Sequence, residues 1–182
     1  MKLFKKLAAA VLAAALALTM AGCSGGNSYA VQDELLKITI DNLTDVGETV
    51  TQSKKADEMA AALLAAADTA AAQEANSGKD AGELLLDEKV IEAAKIDPAK
   101  TPCMVNLIND VQFKSSGMMG EFLKMQWMAG AAGLHRFAGI GAFNPGENDK
   151  VEIGAATHKI GDKSYILILI TYTPTTTPAN PL

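Results

Sequence analysis

The chain has 182 residues, 49% of them hydrophobic and 20% charged, with a formal net charge of −5. That length suits one domain, able to bury about 70% of its unfolded surface, and the acidic balance repels nucleic acid and anionic lipid through the long-range field. Two cysteines, Cys23 and Cys103, are too few for a disulfide framework.

Lys2, Lys5 and Lys6 make a positive start, and Leu7 to Met20 follows as an uncharged run of Ala, Leu and Val. Spanning a bilayer core takes about 20 helical residues, so this run is too short to cross comfortably. A basic start, a short apolar centre and small residues at its end mark a secretory signal. Met20-Ala21-Gly22-Cys23 resembles the bacterial lipobox, with Met20 where Leu is usual. The resemblance implies cleavage before Cys23 and a diacylglycerol on its sulfur. Residues 1–22 would then be a lipoprotein signal peptide, and the product would sit outside the cytoplasm on a bacterial membrane. One acyl chain holds marginally and each buried methylene adds about 0.8 kcal/mol, so two or three chains, palmitate included, hold firmly.

Ser24-Gly25-Gly26-Asn27-Ser28 has the composition of a flexible tether, taken as residues 23–30. In Gram-negative sorting, Ser24 resembles the outer-membrane-permissive kind. The 160 residues from Cys23 onward keep 13 of the 16 basic residues and all 21 acidic ones, a net charge of −8. With Cys23 acylated, Cys103 has no partner, and its apolar neighbours Met104 and Val105 predict a small buried side chain.

A single α+β domain is predicted over residues 31–173. Val31, Leu35 and Ile38 share a helical stripe over Val31–Leu43, with Asp33 and Glu34 suiting the dipole of its start. Residues 45–51 are polar and contain Gly47, a break. A second helix is predicted from about Gln52 to Asn76, capped by Thr49, Thr51 or Ser53. It is dominated by Ala, the best helix former, so it should pack close to its neighbour. Its acidic residues Asp57, Glu58, Asp68 and Glu74 argue against a helix lying on anionic lipid. Asn76 to Gly82 stops it, and a third helix is predicted over Glu83–Lys95. Pro98 and Pro102 end the helical part.

Beyond Pro102 the period shortens. Val105, Leu107, Val111 and Phe113 alternate with polar residues, a half-buried strand. After the turn at Lys114–Gly117, residues Met118, Phe122, Met125, Ala129 and Ala132 share a helical face, giving one helix between strands. A short apolar stretch covers Ile140–Phe143, and a loop Asn144–Lys150. Val151–Ile160 predicts a strand with Val151, Ile153 and Ala155 on its apolar side. Gly161-Asp162 is a hairpin signal. Tyr165–Ile170 is apolar throughout, which places it mid-sheet with both faces covered. Residues 174–182 form a Thr/Pro tail without a core pattern, predicted to be disordered. The outline is α+β: N-terminal helices, then a small antiparallel sheet with a C-terminal hairpin and helices on one face.

Catalytic signatures are missing from the sequence. His135 and His158 lack partners at ligand spacing, and there is no H-x-x-x-H or CxxC. No metal, no cofactor and no catalytic residue is expected. His135 and Arg136, at a helix C-terminus, complement its dipole. Ser115-Ser116-Gly117 reads as an N-cap. Met104, Met118, Met119, Met125 and Met128 cluster with Trp127 and Phe122, and flexible thioethers either fill an irregular core or line an adaptable groove. Trp127-Met128, then His135-Arg136, then Ile140-Gly141 look a little like the C-terminal helix and strand of secreted CAP-superfamily domains. That resemblance implies an α-β-α sandwich. The spacing from His135 to Ile140 is shorter than in that family, and its second His and acidic cleft residues have no counterpart.

The predicted role is a lipid-anchored envelope protein of binding or structural type, meeting an envelope protein or small ligand and no nucleic acid. Trp127, His135, Arg136 and Met125 are its candidate ligand-binding residues. The alternative is an envelope enzyme, or degenerate CAP-like domain, using His135.

Overall fold

The computed structural model describes residues 28–45, 49–109, 137–146 and 149–173. The signal, Cys23, the predicted helix at 118–132 and the tail at 174–182 lie outside the described residues.

Helix α1 spans Ser28–Asp45, starting inside the expected tether. Leu35, Leu36, Thr39 and Leu43 form its buried stripe. The Thr39 hydroxyl is buried and donates back to the Leu35 carbonyl at 2.8 Å, which satisfies it inside the helix. Strand β1, Val50–Gln52, occupies the predicted break and the predicted start of the second helix. Three residues are too few to show a period, though β-branched Val50 and Thr51 favour extended backbone.

Helix α2 spans Lys54–Ala71, and Ser53 is its cap. The Ala56 amide donates to the Ser53 hydroxyl at 3.1 Å, while the Ser53 amide donates to the Ile153 carbonyl at 3.0 Å. One residue therefore starts the helix and ties it to the sheet. Ala56, Ala60, Leu63, Leu64, Ala67 and Ala70 are buried along it. After a 3-10 turn at Glu74–Asn76 come α3, Ala81–Leu85, and α4, Glu88–Ala93. These two correct the single helix predicted over Glu83–Lys95. Asp80 and Glu83 form a capping box at α3. Asp87 turns extended and accepts from the Lys89 amide at 3.0 Å, opening α4. A cap residue competes with helix continuation, and here it wins.

The strands β2 (Cys103–Asn109), β3 (Ala138–Ile140), β4 (Lys150–Ile160) and β5 (Lys163–Thr173) join β1 in one five-stranded sheet of order β1-β4-β5-β2-β3. The β1–β4 pair is parallel and the others antiparallel, so the sheet is mixed, with an antiparallel body. β5 is central, as its apolar run requires, paired along its length with β4 and β2. Gly161 supplies the positive φ, 60°, for the turn between β4 and β5. β3 ends sooner than the stretch to Phe143 suggested. Gly141 follows it at φ 80° with its backbone against the Pro98 carbonyl, where a Cβ would collide.

Both faces of the sheet are covered by helix, which corrects the expectation of helices on one face. Leu167 and Leu169 of β5, with Cys103 and Val105, pack in one cluster with α2, α3 and α4. Ile166, Ile168 and Ile170, with Val151 and Ile153, pack in another with Leu35, Leu36 and Leu43 of α1. The core is thus two apolar slabs separated by a sheet, and β5 feeds alternate residues into each.

Candidate functional site

Strand β4 changes neighbours halfway. Up to Ile153 it pairs with β1 on one side and β5 on the other; beyond Ile153 its β1 side has no strand among the described residues. An unpaired strand edge is a template for other chains. Side chains close this one. The Ala155 amide donates to Asp57 Oδ1 at 2.8 Å. Gln32 of α1 donates from Nε2 to the Ala155 carbonyl at 3.4 Å and accepts from the Thr157 hydroxyl at 2.7 Å. The Gly161 amide donates to Asp68 Oδ1 at 3.0 Å, and His158 Nε2 lies 3.7 Å from Asp68 Oδ2.

Asp57 and Asp68 are eleven residues apart, close to three helical turns, so both carboxylates stand on one side of α2. The sequence displayed this spacing, but it read as a solvated polar face. Gly154 lets that side come down onto the strand. A Cβ there would strike the backbone of Ala56 and Asp57 and lie 2.8 Å from the Ala56 Cβ.

A second polar group crosses the sheet near its opposite end. Cys103, Thr171 and Glu152 stand in register on β2, β5 and β4. The Thr171 hydroxyl is fully buried and donates to the Pro102 carbonyl at 3.0 Å. Glu152 is 8% exposed, accepts from the Thr173 hydroxyl at 3.1 Å and lies 3.7 Å from Lys150 Nζ. Cys103 is buried, and desolvation pushes its thiol pKa up to about 12. At neutral pH the thiol keeps its proton, so it is a poor nucleophile and a poor metal ligand. This row therefore joins strand ends rather than activating a nucleophile.

On the α1 side, an open groove of about 390 Å³ is lined by Asp33, Leu36, Lys37, Ile40 and Gln52. It offers apolar contact from Leu36 and Ile40 under a polar rim. Asn106, 6% exposed, takes the even register of β2 between Met104 and Ile108, which pack on that slab. Its side-chain Nδ2 makes no hydrogen bond. Among the described residues, no group of three or more His, Cys, Asp or Glu is placed to hold a metal ion.

Of the residues singled out from sequence, Trp127, His135, Arg136, Met125 and Cys23 lie outside the described residues. His158 is described, and it faces Asp68 with 28% of its side chain exposed. Met104 is half-buried against the α1 slab, a core role. Of the residues carrying the CAP resemblance only Ile140 and Gly141 are described, and they serve strand pairing and the contact with Pro98. No family model matches the chain, and neither a curated protein nor a solved structure matches it.

Proposed function

We propose that the chain is a cell-envelope protein of binding or structural type, held outside the cytoplasm at a bacterial membrane by a diacylglycerol on Cys23. The observation that carries this reading is the run from Lys2 to Cys23: three lysines, a short apolar stretch, then Met20-Ala21-Gly22-Cys23. Two features of the folded body support it. The first described helix begins at Ser28, four residues after the lipobox, and buries Leu35, Leu36 and Leu43 against the sheet. The remaining thiol, Cys103, is sealed in the core, where an oxidising compartment cannot reach it.

Metabolic labelling with an alkyne palmitate tests the anchor. The label should enter the chain, partition with membranes and vanish in Cys23→Ser, and the processed product should begin at residue 23. An unlabelled, full-length chain in the soluble fraction would end the reading. Cross-linking in intact cells against a melting screen of small molecules then separates the two kinds of partner. A captured envelope protein assigns a structural or assembly role, and a raised Tm assigns a small ligand.

A further inference from the structure

Two edges of the sheet lie beside α1, and they are treated differently. Beyond Ile153 the edge of β4 is closed by Gln32, Asp57 and Asp68. The edge of β1 has no such cover. Val50, Thr51 and Gln52 include no proline and no charge, and Thr51 and Gln52 are exposed. Proline, charge or a covering group is how an edge strand avoids pairing with another chain. The Ser53 amide bonds to the Ile153 carbonyl, on the β4 side. Backbone groups alternate in direction along a strand, so those of Thr51 also point to β4, and those of Val50 and Gln52 point to the free edge. Val50 and Gln52 stand in register with Val151 and Ile153, which puts their side chains on the α1 face. The direction of α1 opposes that of β4 and β1, over which it packs. Gln32 bonds to Ala155 and Thr157, while Lys37 and Ile40, further along the helix, border Gln52. The groove between Gln52 and this flank of α1 therefore follows the free edge of the sheet.

We infer that a second copy of this chain docks on that edge, β1 antiparallel to β1 about a two-fold axis through Thr51. This register engages the whole strand. Val50 of each copy forms a hydrogen-bonded pair with Gln52 of the other, and Thr51 faces Thr51 in the non-bonded pair between them. The contact is isologous, so its donors and acceptors match by symmetry. Strands lie about 4.8 Å apart, so a helix seated midway between β4 and β1 comes ~10 Å from its mate. That is the distance of direct helix packing, and each α1 flank fills the other's groove. Charge fits the same arrangement. No charge stands on β1 to meet its like across the axis. On α1, Lys37 lies one turn from Asp33 and one turn from Asp41, all three exposed. The axis lies one residue from Gln52 toward Val50, just past Lys37 along α1. Lys37 of one copy thus comes opposite the Asp41 turn of the other. On the far face Lys54 pairs with Glu58, and Glu152 with Lys150 and Thr173, within each copy. The contact uses no residue before Ser28 and holds with or without a lipid on Cys23.

The test is oxidative cross-linking of the full chain in intact cells. Thr51→Cys puts two thiols on the axis at a Cα separation of about 4.5 Å, inside the range a disulfide accepts. Lys159→Cys, also exposed but on the closed edge of β4, is the comparison. The parent chain, with Cys23 and the buried Cys103, sets the background. Thr51→Cys should give a product of twice the chain mass, several-fold above both. Adding Lys37→Glu should cut that yield several-fold at unchanged Tm. Adding Gln52→Pro, which removes an outward amide and no bond to β4, should abolish it. A Thr51→Cys yield no higher than that of Lys159→Cys overturns the pairing. So does a product of any other mass, or a yield indifferent to both added substitutions.

Discussion

The two faces of the sheet are built on different plans. Under α2 the sheet presents Gly154 and the helix presents Ala56, Ala60 and Ala67, so two backbones meet with little side chain between them. Under α1 the sheet presents Ile153, Ile166, Ile168 and Ile170, and the helix answers with Leu35, Leu36 and Leu43. The first contact gets its fit from closeness, the second from bulk. Closeness also brings polar bonds, since Asp57 and Asp68 reach strand amides only because α2 lies so near. The faces should therefore fail in opposite ways, one to enlargement and the other to truncation.

The strongest blow to that contrast is truncation on the α1 side. Ile168→Ala removes a side chain that is 0% exposed and should cost about 4 kcal/mol in urea unfolding. A cost under about 1 kcal/mol would mean that the slab collapses freely. Enlargement on the other side comes next. Gly154→Ala drives a methyl into Ala56 and Asp57 and should cost about 3 kcal/mol. Ile153→Leu, one residue away but on the bulky face, should cost less than about 1.5 kcal/mol. If the two substitutions cost the same, the difference between the faces is not real.

Asp57→Ala asks whether the polar bond matters apart from packing. It strands the Ala155 amide and should cost about 2 kcal/mol. Ser53→Ala, losing only a cap, should cost about 1 kcal/mol and serves as the yardstick. Asn106→Leu runs the other way. The unpaired Nδ2 sits on the bulky face, so an apolar replacement should leave stability level or raise it by about 1 kcal/mol. A large loss would show that the amide has a partner in solution.

The smallest effect is electrostatic. The Lys79 ammonium, 2.9 Å away, and then the Lys89 amide hold the Asp87 carboxyl below its ordinary pKa of 3.8. The unfolded chain therefore takes up this proton first. The contribution is present above 3.8 and is lost as pH falls through the lower folded value. Asp87→Asn should shallow the loss of urea midpoint between about pH 5 and about pH 2. An unchanged acid limb would remove Asp87 from it.

What could be read from sequence follows the range of the interactions. β5 was legible because an apolar run with both faces covered has one place to go, and the turn because Gly161 answers a local demand for positive φ. The Ala content of α2 announced close packing, though the Gly154 beneath it looked like a polar-side residue of an ordinary strand. β1 was not legible, because its partner Val151 lies about a hundred residues away and three residues carry no period. Nor was the placing of α1, since a stripe of Leu35, Leu36 and Leu43 says that a face is buried and not which sheet face buries it. The division of α3 from α4 was legible and misread. Asp80 with Glu83, and then Asp87, spell two helix starts. The candidate ligand-binding residues sit between β2 and β3, where the described residues stop, so Asp57 and Asp68 came to notice only through their bonds to β4.

The order β1-β4-β5-β2-β3 puts the last two described strands in the middle of the sheet. Among the described residues β1 pairs with neither β2 nor β3, and only β4 and β5 link the two sides of the sheet by strand pairing. Sheet completion therefore waits for residues 150–173, a slow, non-local step. Strand order alone imposes that delay on the sheet.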